Sequence, residues 1–447
     1  MHHLRRTVFL FWLVLFLINI GHGAGWAGVY AILIKKIGSE TLADFFLFSA
    51  LGGFVLNLCL MFFADVLSNE KLVQLSFMTF IGILACTLVL LGGEASLTPA
   101  VFKAALIFLA VLIISVPSVY IIQTWNLINK TFSPKSGAKI YPFLATAPLV
   151  GSMAGGIVAG ALPRYFATES LIVSWMTAIA FAVAVTFFLK RTLTPAERKD
   201  PVRVDKKELV RNFKEGFAHY RRSAFAVHLS IVFMSFWLVC TIIDFCYART
   251  LEKTYPTSGE MAAFYGTYTT VVNLSALFVQ LFLGAKLVGL IGVRDGFMFL
   301  PASQIVGFVL LTFAPGLAPI VGMMFMQTLI GMSVQANSVN VSFNVFASSV
   351  RGKIRTMLEG VINPLGGVIG SLTIIALTKL RGHTSVPLEK ILPYAGLVFA
   401  AFWFLAAVRI RKSYLAEILW TKEHGSEKDK ADAGEAQEIE DNKKKTV

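Results

Sequence analysis

The chain has 447 residues, 56% of them hydrophobic, 13% aromatic and only 15% charged. Soluble domains carry about 25% charged residues, so this composition excludes a water-soluble globular protein. A net charge of +14 would suit a nucleic-acid partner, but with the N-terminus inside, 31 of the 40 Lys and Arg fall in the even-numbered inter-span loops, the two tails and the inner end of the last span. The positive-inside rule accounts for that placement without a partner.

Crossing a hydrocarbon core of about 30 Å takes about 20 apolar residues. Twelve such runs follow one another, at roughly 8–34, 42–64, 72–91, 101–128, 140–162, 171–189, 224–247, 261–284, 296–313, 317–346, 356–378 and 391–410. The expected fold is therefore an all-α membrane protein of twelve transmembrane helices. The first run is too long for a signal-peptide core and is read as retained.

Met1 to Arg6 is a short basic start. The first span then carries GHGAGWAG from Gly21 to Gly28, a run of small residues that lets another helix approach closely or leaves room for a ligand. His22 reads either as a neutral histidine bonded to a neighbour or as a proton-coupling group, and with Trp26 it is a candidate for a solute cavity. Lys35 and Lys36, in the first outer loop, run against the charge trend.

Asp65 belongs to a tight inner turn after the second span. The fourth span ends in an amide-rich face of Gln123, Asn126, Asn129 and Lys130, followed by a basic loop up to Lys139. Asn337, Asn340 and Asn344 repeat that face 214 positions later, ahead of a second basic loop with Arg351, Lys353 and Arg355. Gln123, Asn126 and Lys130 fall on Asn337, Asn340 and Asn344, and Lys139 on Lys353, so half the chain is the repeat period. With Gln327 and Gln335 above it, the second face is denser in hydrogen-bonding groups than packing requires. An unmatched amide is costly in hydrocarbon, so these side chains must face other helices or a wet cavity.

Residues 190–223 are polar and charged, with Pro195 and Pro201, and separate two six-span halves, 1–189 and 224–410. Within this linker Val210, Phe213, Phe217 and Tyr220 stand three or four apart, the spacing of an amphipathic helix on the inner membrane face. Residues 411–447 form a charged tail, for which the composition predicts disorder.

An ionisable residue in a span costs roughly 2.5–3.5 kcal/mol on insertion scales. Two acidic residues qualify as coupling or ion-pair candidates. Asp244 lies late in the seventh span, and Glu359 stands four residues after Arg355 in the eleventh. Tyr265, Tyr268 and Asn273 in the eighth span are further cavity candidates. The two tyrosines suit either stacking on a flat ligand or interfacial anchoring. Cys59, Cys86, Cys240 and Cys246 lie inside spans without metal spacing, and no triad order or phosphate-cradling loop occurs. No metal, no cofactor and no enzymatic chemistry are expected.

Gly284 to Gly296, GAKLVGLIGVRDG, with Arg294, resembles the loop signature of the major facilitator superfamily. Trp125, Leu127, Asn129, Phe132, Ala138 to Pro142 and the glycines Gly151, Gly155 and Gly156 resemble the fourth-to-fifth-span segment of the bacterial and plastid ATP/ADP carrier family. Its bacterial carrier-like branch is the more similar. Thr241 to Phe245, Phe264 to Gly266, Val272 to Leu274 and Arg351 to Val361 resemble the same branch.

The resemblance covers about residues 1–410 and implies a major-facilitator-like fold and nucleotide exchange. In those carriers a basic residue within the first span helps hold phosphate, whereas here none stands between Arg6 and Lys35. The combined expectation is a secondary transporter of the bacterial inner membrane, monomeric and with both termini cytoplasmic. It moves a small polar or anionic solute by alternating access. Nucleotide exchange and a non-transporting receptor or scaffold are the alternatives. Asp65, Lys130, Lys139, Arg294, Arg351, Lys353 and Arg355 are expected at its cytoplasmic gate.

Overall fold

The computed structural model describes residues 2–63, 69–132, 140–141, 143–192, 220–282, 291–381 and 387–424, together with 426, 429, 434 and 437. Asp65, Lys139, most of the linker with its amphipathic pattern, most of the loop before Gly292 and most of the tail lie outside the described residues. So does the side chain of Lys130.

The described residues are helical almost throughout. In chain order the helices are α1 (His2–Ile37), α2 (Leu42–Phe63), α3 (Asn69–Gly92), α4 (Pro99–Thr131), α5 (Thr146–Ala161), α6 (Ser170–Thr192), α7 (Ala224–Thr254), α8 (Ser258–Phe282) and α9 (Val293–Phe313). Then come α10 (Leu317–Ile330), α11 (Ala336–Ser342), α12 (Ser348–Met357), α13 (Asn363–Arg381) and α14 (Leu388–His424). Among the described residues, eleven stretches are long and apolar enough to cross a membrane, and the apolar part of α2, Leu42–Leu56, is shorter. Phe181, Phe278 and Phe313 are all more than half exposed. Helices that bond their own backbone can present such side chains to lipid, where no water is needed.

Two compact units share the chain. The first comprises Met1–Arg203 and Leu251–Leu277, the second Val204–Thr250 and Phe278–Val447. Residues 251–277 thus group with the first unit, and the glycines of α5 and α8 give the reason. A Cβ on Gly266 would stand 2.6 Å from the Gly156 carbonyl oxygen and 2.7 Å from the Gly160 nitrogen. Only paired glycines let the two backbones approach that closely.

The small residues of α1 serve packing in the same unit. Gly25 lies against the Trp175 ring, Gly23 against the Ser152 carbonyl of α5 and Gly28 against Leu171 of α6. In return, a Cβ on Gly151 would meet the Phe16 carbonyl at 2.6 Å. Trp175 and Phe80 meet edge to face at 4.9 Å in the core beneath. The lysines that ran against the charge trend have local partners: Lys36 pairs with Glu94, and Lys35 donates to the Glu252 carbonyl at 3.0 Å.

In the second unit α14 continues to His424, fourteen residues beyond the span end at 410 expected from hydropathy. Its 37 residues reach about 55 Å at the usual helical rise, well over a hydrocarbon thickness of about 30 Å. The extension persists because it is amphipathic, with Tyr414, Ile418 and Thr421 buried. Ser223 donates to Glu417 at 2.8 Å and Thr421 to the Val345 carbonyl at 2.7 Å.

Candidate functional site

The tenth and eleventh spans are interrupted helices. Between α10 and α11 the backbone is wound as a π turn over Gly331–Gln335, and between α12 and α13 as a second one over Leu358–Ile362. A π turn carries an extra residue, which disturbs the hydrogen-bond ladder and re-aims the side chains around it, and such turns concentrate at functional sites. At membrane depth, irregular backbone is tolerated where it is buried in protein or lines a wet cavity.

Both π turns line one cavity of about 460 Å³ within the second unit. Gly331, Met332 and Gln335 come from the first turn and Glu359 from the second. Gln327 precedes the first turn, Asn340 follows it, and Asn363 follows the second. Phe233, Phe236 and Trp237 of α7 supply an aromatic wall. The volume falls within the range of small-molecule sites, about 300–1,000 Å³.

The polar atoms of this cavity are poorly matched by the protein itself. Oε1 of Gln327, Oε1 of Gln335 and Oδ1 of Asn363 are shut from solvent and have no hydrogen-bond partner in the chain. A buried acceptor left unpaired costs about 1–3 kcal/mol, and three such oxygens belong to residues that line this one cavity. Arg355 Nε donates to Glu359 Oε1 at 2.8 Å, and a terminal nitrogen of the same guanidinium lies 3.4 Å from Asn340 Oδ1. The guanidinium carbon also stands 5.3 Å from the centre of the Phe343 ring. Glu359 thus forms the intrahelical pair and lines the cavity at once.

In the first unit a run of rings crosses from α1 to α8. His22 and Trp26 are near-parallel at 6.5 Å, Trp26 and Tyr30 lie 5.7 Å apart, Tyr30 and Tyr265 5.7 Å, and Tyr265 and Tyr268 6.3 Å. His22 also meets Trp175 edge to face at 5.4 Å, and its Nδ1 is buried without a partner. A groove of about 570 Å³ along α1, α5 and α6 has an apolar lining that includes Phe166 and Phe181. Ser170, Ser174 and Thr177 are its polar members.

The other residues singled out from the sequence are scattered. Gln123 is buried in α4 and Asn126 is exposed on it. Asn273 donates to the Thr269 carbonyl of its own helix at 2.8 Å, and Asn337 likewise to Ser333 at 2.5 Å. Asn344 is exposed, and Arg351 donates to its carbonyl at 3.0 Å and to that of Phe346 at 3.2 Å, tying off the end of the tenth span. Lys353 is half-buried on α12, and Asp244, half-buried on α7, is not among the residues that line the cavity. Arg249, five residues beyond Asp244, pairs with Glu389 at 2.8 Å.

Sequence reasoning passed over Asn363, the aromatic wall and Asp295. An amide inside an otherwise apolar run was the available signal for Asn363. Asp295 follows Arg294 and is buried, holding Arg411 through two bonds of 2.6 and 3.1 Å. Gly292 sets up that geometry. Its φ of +78° turns the chain sharply into α9, a conformation that other residues adopt at a cost.

No family model matches the sequence. It is similar to ADP,ATP carrier protein 1 of Chlamydia pneumoniae, with 21% identity over 247 residues, 50% of this chain and 47% of that protein. The ADP,ATP carrier protein 1 of Chlamydia muridarum is 21% identical over 296 residues, 61% of this chain and 55% of that one. The chain spans about half the length of these curated relatives. Among solved structures it resembles a bacterial homologue of the iron transporter ferroportin in its inward-facing state, with a TM-score of 0.68, 15% identity, and 91% of this chain and 99% of that one covered. A D-xylose-proton symporter matches with a TM-score of 0.65, 14% identity and 90% and 96% coverage. The nucleoside transporter NupG matches with 0.61, 13% identity and 91% and 99% coverage. At such identities the likeness is one of fold, and the fold is that of an all-α, major-facilitator-like membrane protein.

Proposed function

We propose that the protein is an integral-membrane secondary transporter that moves a small polar solute by alternating access, with both termini cytoplasmic. The observation that carries this reading is the cavity between the interrupted tenth and eleventh spans, where three buried amide oxygens have no partner within the chain. The solved structures with this fold include a nucleoside transporter, a D-xylose-proton symporter and a bacterial homologue of an iron transporter, which supports transport without naming the solute. His22, Trp26, Tyr265 and Tyr268 in the first unit are proposed as a second set of cavity groups. Arg294, Arg351 and Arg355 are proposed at the cytoplasmic gate.

Nucleotide exchange is the second reading, favoured by the sequence similarity to the two ADP,ATP carriers. A polyanion in a dry cavity needs cations to receive it. The first span supplies none between Arg6 and Lys35, and Arg355 is engaged by Glu359.

Purified protein in sealed vesicles tests the proposal with a labelled panel of amines, sugars, carboxylates, ATP and ADP. Saturable uptake of at least one member, absent from protein-free vesicles, is expected. No uptake of any of them, with a protein partner co-purifying in stoichiometric amount, would favour the receptor or scaffold instead.

A further inference from the structure

We infer that the cavity of the second unit selects solutes carrying a protonated amine, that is, small organic cations or zwitterions. This rests on the transport reading above and narrows its substrate class.

Three amide oxygens of the lining residues are unpaired, while the same amides each carry an NH2 group that donates. The buried oxygens of Gln327, Gln335 and Asn363 lack donors, and Gln335 is only 8% exposed as a whole residue. Among the described residues, Glu359 is the one charged residue that lines the cavity. Arg355, its ion-pair partner, is not part of that lining. Its donors serve Glu359 and Asn340, and its face lies over Phe343.

An ammonium group has three donors and no acceptor, which complements this wall. Phe236 and Trp237 also line the cavity, and aromatic rings are the side chains whose faces attract cations. A carboxylate or phosphate, by contrast, would bring no donor to the three unpaired oxygens, and the cation nearest the wall, Arg355, is already held by Glu359. A purely apolar solute would leave the three amides as unsatisfied as before.

The test uses the full chain in vesicles and four labelled probes: a monoamine, an amino acid, the matching carboxylic acid without its amine, and ADP. The amine-bearing probes are expected to enter saturably, and the deaminated acid at a rate lower by about tenfold or more. Glu359→Gln is expected to raise KM for the amines by about tenfold. Gln335→Leu, which adds no charge and keeps the Arg355 pair, is expected to raise it severalfold, and serves alone should the first variant fail to fold. Uptake of the acid or ADP without uptake of amines overturns the inference and leaves transport standing. An unchanged KM in a folded variant overturns the assignment to this cavity. Absence of flux for every probe overturns the inference together with the transport reading beneath it, provided that the wider panel also fails.

Discussion

Arg355 Nε and Glu359 Oε1 meet at 2.8 Å across one helical turn, and that turn is where α12 gives way to a π turn. Both side chains remain nearly half exposed, at 49% and 45%. Exposed pairs of this kind contribute about 0–1 kcal/mol, so the carboxylate in the eleventh span is poorly explained by stability. Its place on the cavity wall is the better explanation.

Glu359→Gln should therefore separate stability from flux. The thermal unfolding midpoint in detergent is expected to shift by no more than about 3 °C, while solute uptake falls by about tenfold. Unfolding and uptake measured on one preparation check this. A large drop in midpoint with flux per folded molecule intact would assign the pair to the scaffold.

Asn126 and Asn340 occupy matching positions of the repeat, and both are exposed. Replacing either with Ala leaves no core cavity, so expression and elution profile should match the wild type while uptake declines. Unchanged uptake in both variants would reduce these amides to helix-surface groups.

Asp295 and Arg411 pose a different problem, because the carboxylate is buried and its partner half exposed, with relative side-chain areas of 9% and 46%. Asp295→Asn and Arg411→Gln should each destabilise, and the double variant by less than their sum. The expected coupling is about 1 kcal/mol, typical of residues in direct contact. Thermal or denaturant unfolding of the four proteins in a double-mutant cycle measures it, and strict additivity would mean that the two groups act independently.

Two glycines should respond oppositely to alanine. A Cβ on Gly266 would meet backbone of α5 at 2.6 and 2.7 Å, whereas one on Gly322 has open space within 4 Å. Gly266→Ala should cost about 1–3 kcal/mol through overpacking. Gly322→Ala should be neutral or stabilise by up to about 1 kcal/mol, since alanine favours the helix. Unfolding midpoints in detergent report both.

Much of the fold was legible from hydropathy, because each apolar run is a local property of the chain. The packing role of Gly21 to Gly28 was legible too, since close helix approach needs small residues in a row. Gln327, Gln335, Asn340 and Glu359 stood out as polar groups in apolar spans, and the structure brings those four to one cavity. The π turns were not legible, because a changed hydrogen-bond register inside an apolar helix leaves no mark in composition. Asp295 read as a loop residue, since its partner Arg411 is 116 positions away and one sequence carries no record of that pairing. His22, Trp26 and Tyr30 share one helix face by spacing, yet Tyr265 joins them only through the packing of α8. The extent of α14 beyond 410 was masked by its charges, of which Arg411, Lys412 and Glu423 sit on the exposed side of the helix while Glu417 is buried against Ser223.

Alternating access is most directly tested by counterflow. Vesicles preloaded with an unlabelled transported solute, then diluted into a trace of the same solute bearing label, should accumulate label transiently above its outside concentration. That overshoot should build about tenfold more slowly in Glu359→Gln and be absent from vesicles without protein. Label that only equilibrates, with a rate indifferent to the preloaded solute, would contradict a carrier and point to a pore or a leak.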